Sequence, residues 1–126
     1  MRSLLLMLTA MLLLGACTSV IDAIGLGDTG NDPSLIDIEN YDFNPSLDTL
    51  TAGGTDATAT VTFIWVTGSD RHNVTWDTGP GTLPANSNTL SGVATYQAAL
   101  QVGTYTYHCS IHPGQMTGTI VVLQPR

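Results

Sequence analysis

A cysteine, two histidines and a methionine fall within nine positions near the C-terminus, in the stretch Tyr107–Met116, YHCSIHPGQM. The chain is otherwise poor in soft ligand groups: its one other histidine is His72 and its one other cysteine is Cys17. Three kinds of chemistry compete for such a cluster, namely a metal site, half of a disulfide, or no chemistry at all. Cys109 and His112, three apart across a Pro-containing loop, can converge on one point. His72 follows a β-rich run and the Gly68-Ser69-Asp70 break, in a loop that a sandwich would bring alongside. Two imidazoles, a thiolate and a thioether then form a trigonal His₂Cys set with a weak axial Met, which is the donor set of blue copper. Zinc is the rival metal. A structural zinc site takes four strong ligands and a catalytic one three plus water. Here the fourth candidate is a thioether, and no acidic residue lies near His112 to act as a general base, so copper is preferred.

These residues must be positioned by strands. Leu35 to Phe43 mixes apolar and polar residues in alternation until Pro45 interrupts it, which predicts one strand. Thr58 to Thr67, TATVTFIWVT, is dense in β-branched and aromatic residues, as in a strand buried on much of both faces. Asn73–Trp76 reads as a short strand and Asp77–Ser91 as loop. Val93–Leu100 and Thr104–Cys109 read as two strands joined by a hairpin-like link at Gln101-Val102-Gly103, and Gly118–Leu123 closes the series. No stretch of ten or more residues after Pro33 keeps a helical period. The expected fold is all-β, a Greek-key antiparallel sandwich of about seven to eight strands. Strand parity puts Tyr105, Tyr107 and Cys109 on the core face and His108 on the outer one. His108 therefore leaves the ligand set as a surface residue, and Trp65 and Trp76 are assigned to the core rather than to an electron relay.

The first residues follow a different logic. Arg2 precedes an apolar run, Leu4–Leu14, which is shorter than the about 20 residues a spanning helix needs and fits the apolar region of a secretory signal. It ends Leu14-Gly15-Ala16-Cys17, which resembles a bacterial lipobox and implies cleavage before Cys17 and lipidation of its sulfur. A plain signal with a chance cysteine is the simpler reading of the same letters. The division expected is a signal peptide at 1–16, a lipidated Cys17 with a Gly/Asp/Thr-rich tether at 17–33, and one domain at 34–126. The chain would be exported and lipid-anchored to a bacterial membrane, facing the periplasm or the cell exterior. Were Cys17 not lipidated, a Cys17–Cys109 disulfide would be the first expectation for an exported pair. With Cys17 lipidated, Cys109 is a lone thiol in an oxidising compartment, where it needs an occupant.

Charge narrows the partners. The formal net charge is −7, there is no lysine, and all ten acidic residues lie between Asp22 and Asp77. Nucleic acid is excluded as a partner, because phosphate neutralisation requires clustered Lys and Arg. An anionic membrane surface is excluded too, apart from the lipid itself. From Thr78 to Pro125 no residue is charged at neutral pH. That half would present an uncharged face, while the acidic half could steer a basic partner.

At these residues the chain resembles the small cupredoxins of the plastocyanin/azurin type. The opening IDIENYDFNPSLDTL is similar to that family's first strands, HNVTW (His72–Trp76) to the segment bearing its first histidine ligand, and GTYTYHCSIHPGQMTGTIVV (Gly103–Val122) to the segment bearing the other three. The likeness spans roughly residues 34–123 and implies one mononuclear type 1 copper, cycling between Cu(I) and Cu(II). It also implies single-electron shuttling between redox proteins such as cytochromes, oxidases or reductases, by a monomer that is not itself an enzyme. Carried over, it implies His72, Cys109 and His112 as equatorial ligands and Met116 as the axial one. Gln115 is the competing axial candidate, since some relatives use a Gln oxygen. Asn73 is implied to tie the two ligand loops together and to give a backbone N–H to the thiolate, and His112 to be the exposed ligand through which electrons pass. The alternative is copper binding without electron transfer, in a scavenger, chaperone or sensor. A copper nitrite reductase, of related fold, would need three more histidines for a second copper, and only His108 is left.

Overall fold

Apolar residues on even positions, Ile36 and Ile38, build the first strand, β1 (Ser34–Glu39). The structure, a computed structural model, describes residues 34–66 and 69–125. The signal, lipidation and tether readings at 1–33 lie outside the described residues. The remaining strands are β2 (Asp42–Asn44), β3 (Leu47–Thr51), β4 (Thr58–Trp65), β5 (Thr75–Thr78), β6 (Ala94–Gln101), β7 (Gly103–His108) and β8 (Thr117–Leu123). They form two four-stranded sheets, in the orders β2-β1-β4-β6 and β3-β8-β7-β5. This is the expected eight-stranded β-sandwich, and no described residue is helical.

Three details differ from the sequence expectation. The run Leu35–Phe43 is not one strand. It folds back at Asn40-Tyr41, so that Ile38 lies opposite Phe43 and Glu39 opposite Asp42. A two-residue turn returns the chain with apolar side chains on the same face, and the apolar positions shift from even (36, 38) to odd (43) across it. The second difference is at Gln101-Val102-Gly103. β6 and β7 do not pair there, since they belong to opposite sheets. With Val102 alone between them, the chain steps across the sandwich, and Tyr105 Oη accepts a hydrogen bond from the Gln101 N–H at 3.0 Å. Gly103 takes φ 144° at this step, where an added Cβ would meet Pro80 Cγ at 2.6 Å. Third, the sheets are mixed. Four pairings are antiparallel, while β1 runs parallel to β4 and β3 parallel to β8. Most links change sheet, so a strand often lies beside one that is remote in sequence and runs the same way.

The core lies between the sheets. Ile36, Ile38, Phe43, Val61, Phe63, Trp65 and Leu100 come from the first sheet, and Trp76, Tyr105, Tyr107, Ile120 and Val122 from the second. Each large apolar side chain fully buried contributes about 1.5–3 kcal/mol. An aromatic group holds the two layers together. Phe63 and Phe43 of the first sheet meet Tyr107 of the second edge-on, at ring-centroid distances of 5.2 and 4.9 Å, the geometry that aromatic quadrupoles favour. Gly118, opposite Tyr107 on β8, lets that ring lie flat on the strand, because a Cβ there would collide with the Tyr107 ring. The consequence is functional as well as structural: Tyr107 is anchored two residues before Cys109.

Candidate metal centre

Cys109 follows β7 directly, and parity places it as expected. Its side chain is fully buried along with those of Tyr105 and Tyr107, while His108 points to the other face. There His108 Nδ1 lies 2.7 Å from Asp77 Oδ1, on the neighbouring strand β5. The surface residue of the sequence reading thus has a cross-strand partner that the sequence did not single out.

The loop from Cys109 to Met116 is held closed by its own backbone. The Cys109 N–H donates to the Met116 carbonyl at 2.9 Å, directly beyond the paired His108 and Thr117 that end the β7–β8 ladder. Inside the loop, the N–H groups of Gln115 and Met116 both donate to the His112 carbonyl at 3.0 Å, and the His112 N–H donates to the Cys109 carbonyl at 3.1 Å. Short local bonds of this kind fix the loop without strand partners. They leave His112 half-buried, Met116 buried with no exposed surface, and Gln115 exposed.

His72 arrives from the other side. Its N–H donates to the Leu90 carbonyl and its carbonyl accepts from the Leu90 N–H, both at 2.9 Å. The Trp65 indole N–H donates to the same His72 carbonyl at 3.2 Å. Trp65 was expected only as core; it also pins a histidine backbone, which requires a contact that sequence spacing does not display. The His72 side chain is fully buried.

These constraints bring three donor atoms together. The side chains of His72, Cys109 and His112 offer donors that all lie within 4.8 Å of one another. Cys109 Sγ is 3.8 Å from His72 Nδ1 and 4.0 Å from His112 Nδ1. Bonds of about 2.0–2.3 Å from nitrogen and sulfur to one ion, opened to a trigonal angle, would set S and N about 3.8 Å apart. The spacing fits a metal, and the donors are of the soft and borderline kinds that suit copper. Burial, and then the neighbouring His112, lower the pKa of His72, against an opposing pull from Asp70. That shift favours the neutral ring, the form in which a histidine ligates a metal. Its Nε2 is buried and has no hydrogen-bond partner among the described residues. A ligating histidine ordinarily has its other N–H tied down; here the backbone bonds to Leu90 and Trp65 do the orienting.

Asn73 links the two loops. Its Oδ1 accepts the Ser110 N–H at 2.9 Å, and its Nδ2 donates to Ser110 Oγ at 2.8 Å and to Thr89 Oγ1 at 3.3 Å. The tie runs through the carboxamide. The Cys109 sulfur itself faces the two imidazoles. One neighbour of the site was missed altogether. Tyr41, at the β1–β2 turn, meets the His112 ring edge-on at 4.8 Å and the His72 ring at 6.4 Å. The even-to-odd shift around it was the available signal.

No protein-family model matches the chain, and no curated protein does. Solved structures do. A copper-containing nitrite reductase from Thermus scotoductus is 26% identical with a TM-score of 0.60, over 75% of this chain and 23% of that one. The present chain therefore spans less than a quarter of that enzyme's length. A variant of amicyanin in its reduced Cu(I) form is 25% identical with a TM-score of 0.58, covering 73% of this chain and 83% of that one. An oxidised amicyanin variant is 25% identical with a TM-score of 0.57, covering 71% and 80%. The sandwich is thus the cupredoxin fold that the sequence resembles.

Proposed function

We propose that this chain is a type 1 copper protein that carries single electrons, with His72, Cys109 and His112 as equatorial ligands and Met116 as the axial one. The observation that carries the reading is the convergence of one thiol and two imidazole Nδ1 atoms at 3.8 and 4.0 Å in a cupredoxin sandwich. Bound copper supplies a one-electron couple between Cu(II) and Cu(I), and similar structures include both oxidised and reduced amicyanin. The protein's part is to hold its donors still. His72 is fixed by backbone bonds on both sides, the Cys109–Met116 loop by its internal bonds, and the two by Asn73. Donors that do not move suit both oxidation states, because little rearrangement accompanies the electron. Met116 is buried at the end of the ligand loop while Gln115 is exposed, which supports the thioether as the axial donor.

His112 is half-exposed, and exposed Tyr41 and Ile111 surround it. In this reading a redox protein docks on that neutral rim, and the acidic residues of the first half steer it. The chain acts as a carrier rather than an enzyme: beyond the proposed ligands, His108 is the remaining histidine, and it is paired with Asp77. Export, lipidation at Cys17 and a monomeric state complete the proposal.

The test is the visible spectrum of the copper-loaded protein. Intense absorption at roughly 600 nm, from the thiolate–Cu(II) bond, is expected. It should bleach on one-electron reduction and be absent in Cys109→Ser. A colourless wild-type protein that holds stoichiometric zinc would overturn the reading.

A further inference from the structure

We propose that Tyr41 is a positioning residue for His112, an inference that rests on the reading of His112 as a metal ligand. Three observations meet at this side chain. Its ring stands edge-on to the His112 ring, with centroids 4.8 Å apart and planes at 74°. It is nevertheless 49% exposed, so burial of the ring does not account for its presence. Its backbone has φ 67°, in the left-handed region that residues with a Cβ avoid. A glycine would suit the turn better on backbone grounds. The side chain is therefore what this position supplies, and His112 is what the side chain touches.

The turn is braced to keep the ring there. Asn40 Oδ1 accepts the Asp70 N–H at 2.7 Å, two residues before His72. The Ile38 carbonyl accepts the Val66 N–H at 3.3 Å, next to Trp65. The Tyr41 ring is thus referenced to the segment that fixes the buried histidine while it packs on the exposed one. An imidazole on a short loop with one open face has rotamers to lose on binding a metal. A ring against that face removes some of them in advance, which tightens binding by pre-organisation.

The experiment compares Tyr41→Gly and Tyr41→Phe with the wild type in the full-length protein, by three measurements. The first is the NMR shift of the His112 ring protons in metal-free protein, the second is Cu(I) affinity in competition with a chelator, and the third is the unfolding midpoint. Tyr41→Phe should retain the wild-type shift and affinity. Tyr41→Gly should lose the ring-current displacement and bind Cu(I) roughly two- to twelve-fold more weakly, the equilibrium equivalent of one edge-on aromatic pair. Its unfolding midpoint should stay level or rise, which a merely structural role for the side chain would not give. Wild-type affinity in Tyr41→Gly would overturn the inference, as would a Tyr41→Phe as weak as Tyr41→Gly. If the wild type takes up no copper, the function reading fails separately. In that case a metal-free wild type whose His112 ring protons show no displacement relative to Tyr41→Gly would still overturn the inference, because the two rings would then not be packed together.

Discussion

Replacing Asn73 with alanine cuts the side-chain tie between the loop that carries His72 and the loop that carries Cys109 and His112. Three hydrogen bonds are lost, at 2.8, 2.9 and 3.3 Å. A typical bond nets about 0.5–1.5 kcal/mol. Ser110 is exposed, so water satisfies its freed groups and each short bond counts near the lower half of that range. The long bond to Thr89 adds little. The sum is about 1–2 kcal/mol of folding free energy in the metal-free protein, which corresponds to a fall in Tm of roughly 4–16 °C for a domain of this size. Urea unfolding should show a lower midpoint at unchanged slope, since the compactness of neither state is altered. The sharper assay is a double-mutant cycle with Ser110→Ala, which removes only the hydroxyl partner. If the tie is real, the two substitutions together should cost about 0.5–1.5 kcal/mol less than their sum. Additivity to within about 0.3 kcal/mol would refute the argument that Asn73 and Ser110 couple the loops.

Two further outcomes follow from the site. Burial lowers the pKa of His72 from its ordinary 6.5, so on acidification the unfolded chain takes up that proton before the folded one does. The stability of the metal-free protein should therefore be full above pH 6.5, fall as the pH drops through that value, and level off below the folded pKa. His72→Gln should remove that part of the decline in urea titrations, and an identical pH profile in the two proteins would contradict it. For the axial position, Met116→Gln should shift both the reduction potential and the visible spectrum of the copper form, while Gln115→Ala leaves them nearly unchanged. The reverse pattern would transfer the role to Gln115.

Much of this protein was legible in the order of its residues. The donor set is a matter of composition: beyond Cys17 the chain has three histidines, one cysteine and one methionine, and all but His72 lie in one stretch. Period-2 alternation and β-branched content located most of the strands, though not β3. Parity along Thr104–Cys109 turns the cysteine inward and His108 outward, because a pleated strand leaves no other choice. Alternation is a local property, however, and it says which face a side chain takes without saying what lies beside it. Asn40-Tyr41 shows the limit. A two-residue turn moves the apolar positions from even (36, 38) to odd (43) while each side still alternates, so the fold-back that brings a tyrosine onto His112 shows in the sequence only as that one-residue slip. The link at Val102 is a second case, where two adjacent strands pack into opposite sheets rather than against each other.

Only tertiary structure could decide the rest, and it decided three things about the site. It brought His72 to a cysteine 37 residues away, through backbone bonds to Leu90 and the Trp65 indole. It separated Met116 from Gln115 by burial, though the two are neighbours in the chain. It also placed a strained, exposed tyrosine against the one half-open ligand. Residue types set which metal the chain is able to hold. The geometry in which it holds that metal depends on contacts between residues far apart in sequence, and those exist only once the two sheets have closed on their aromatic core.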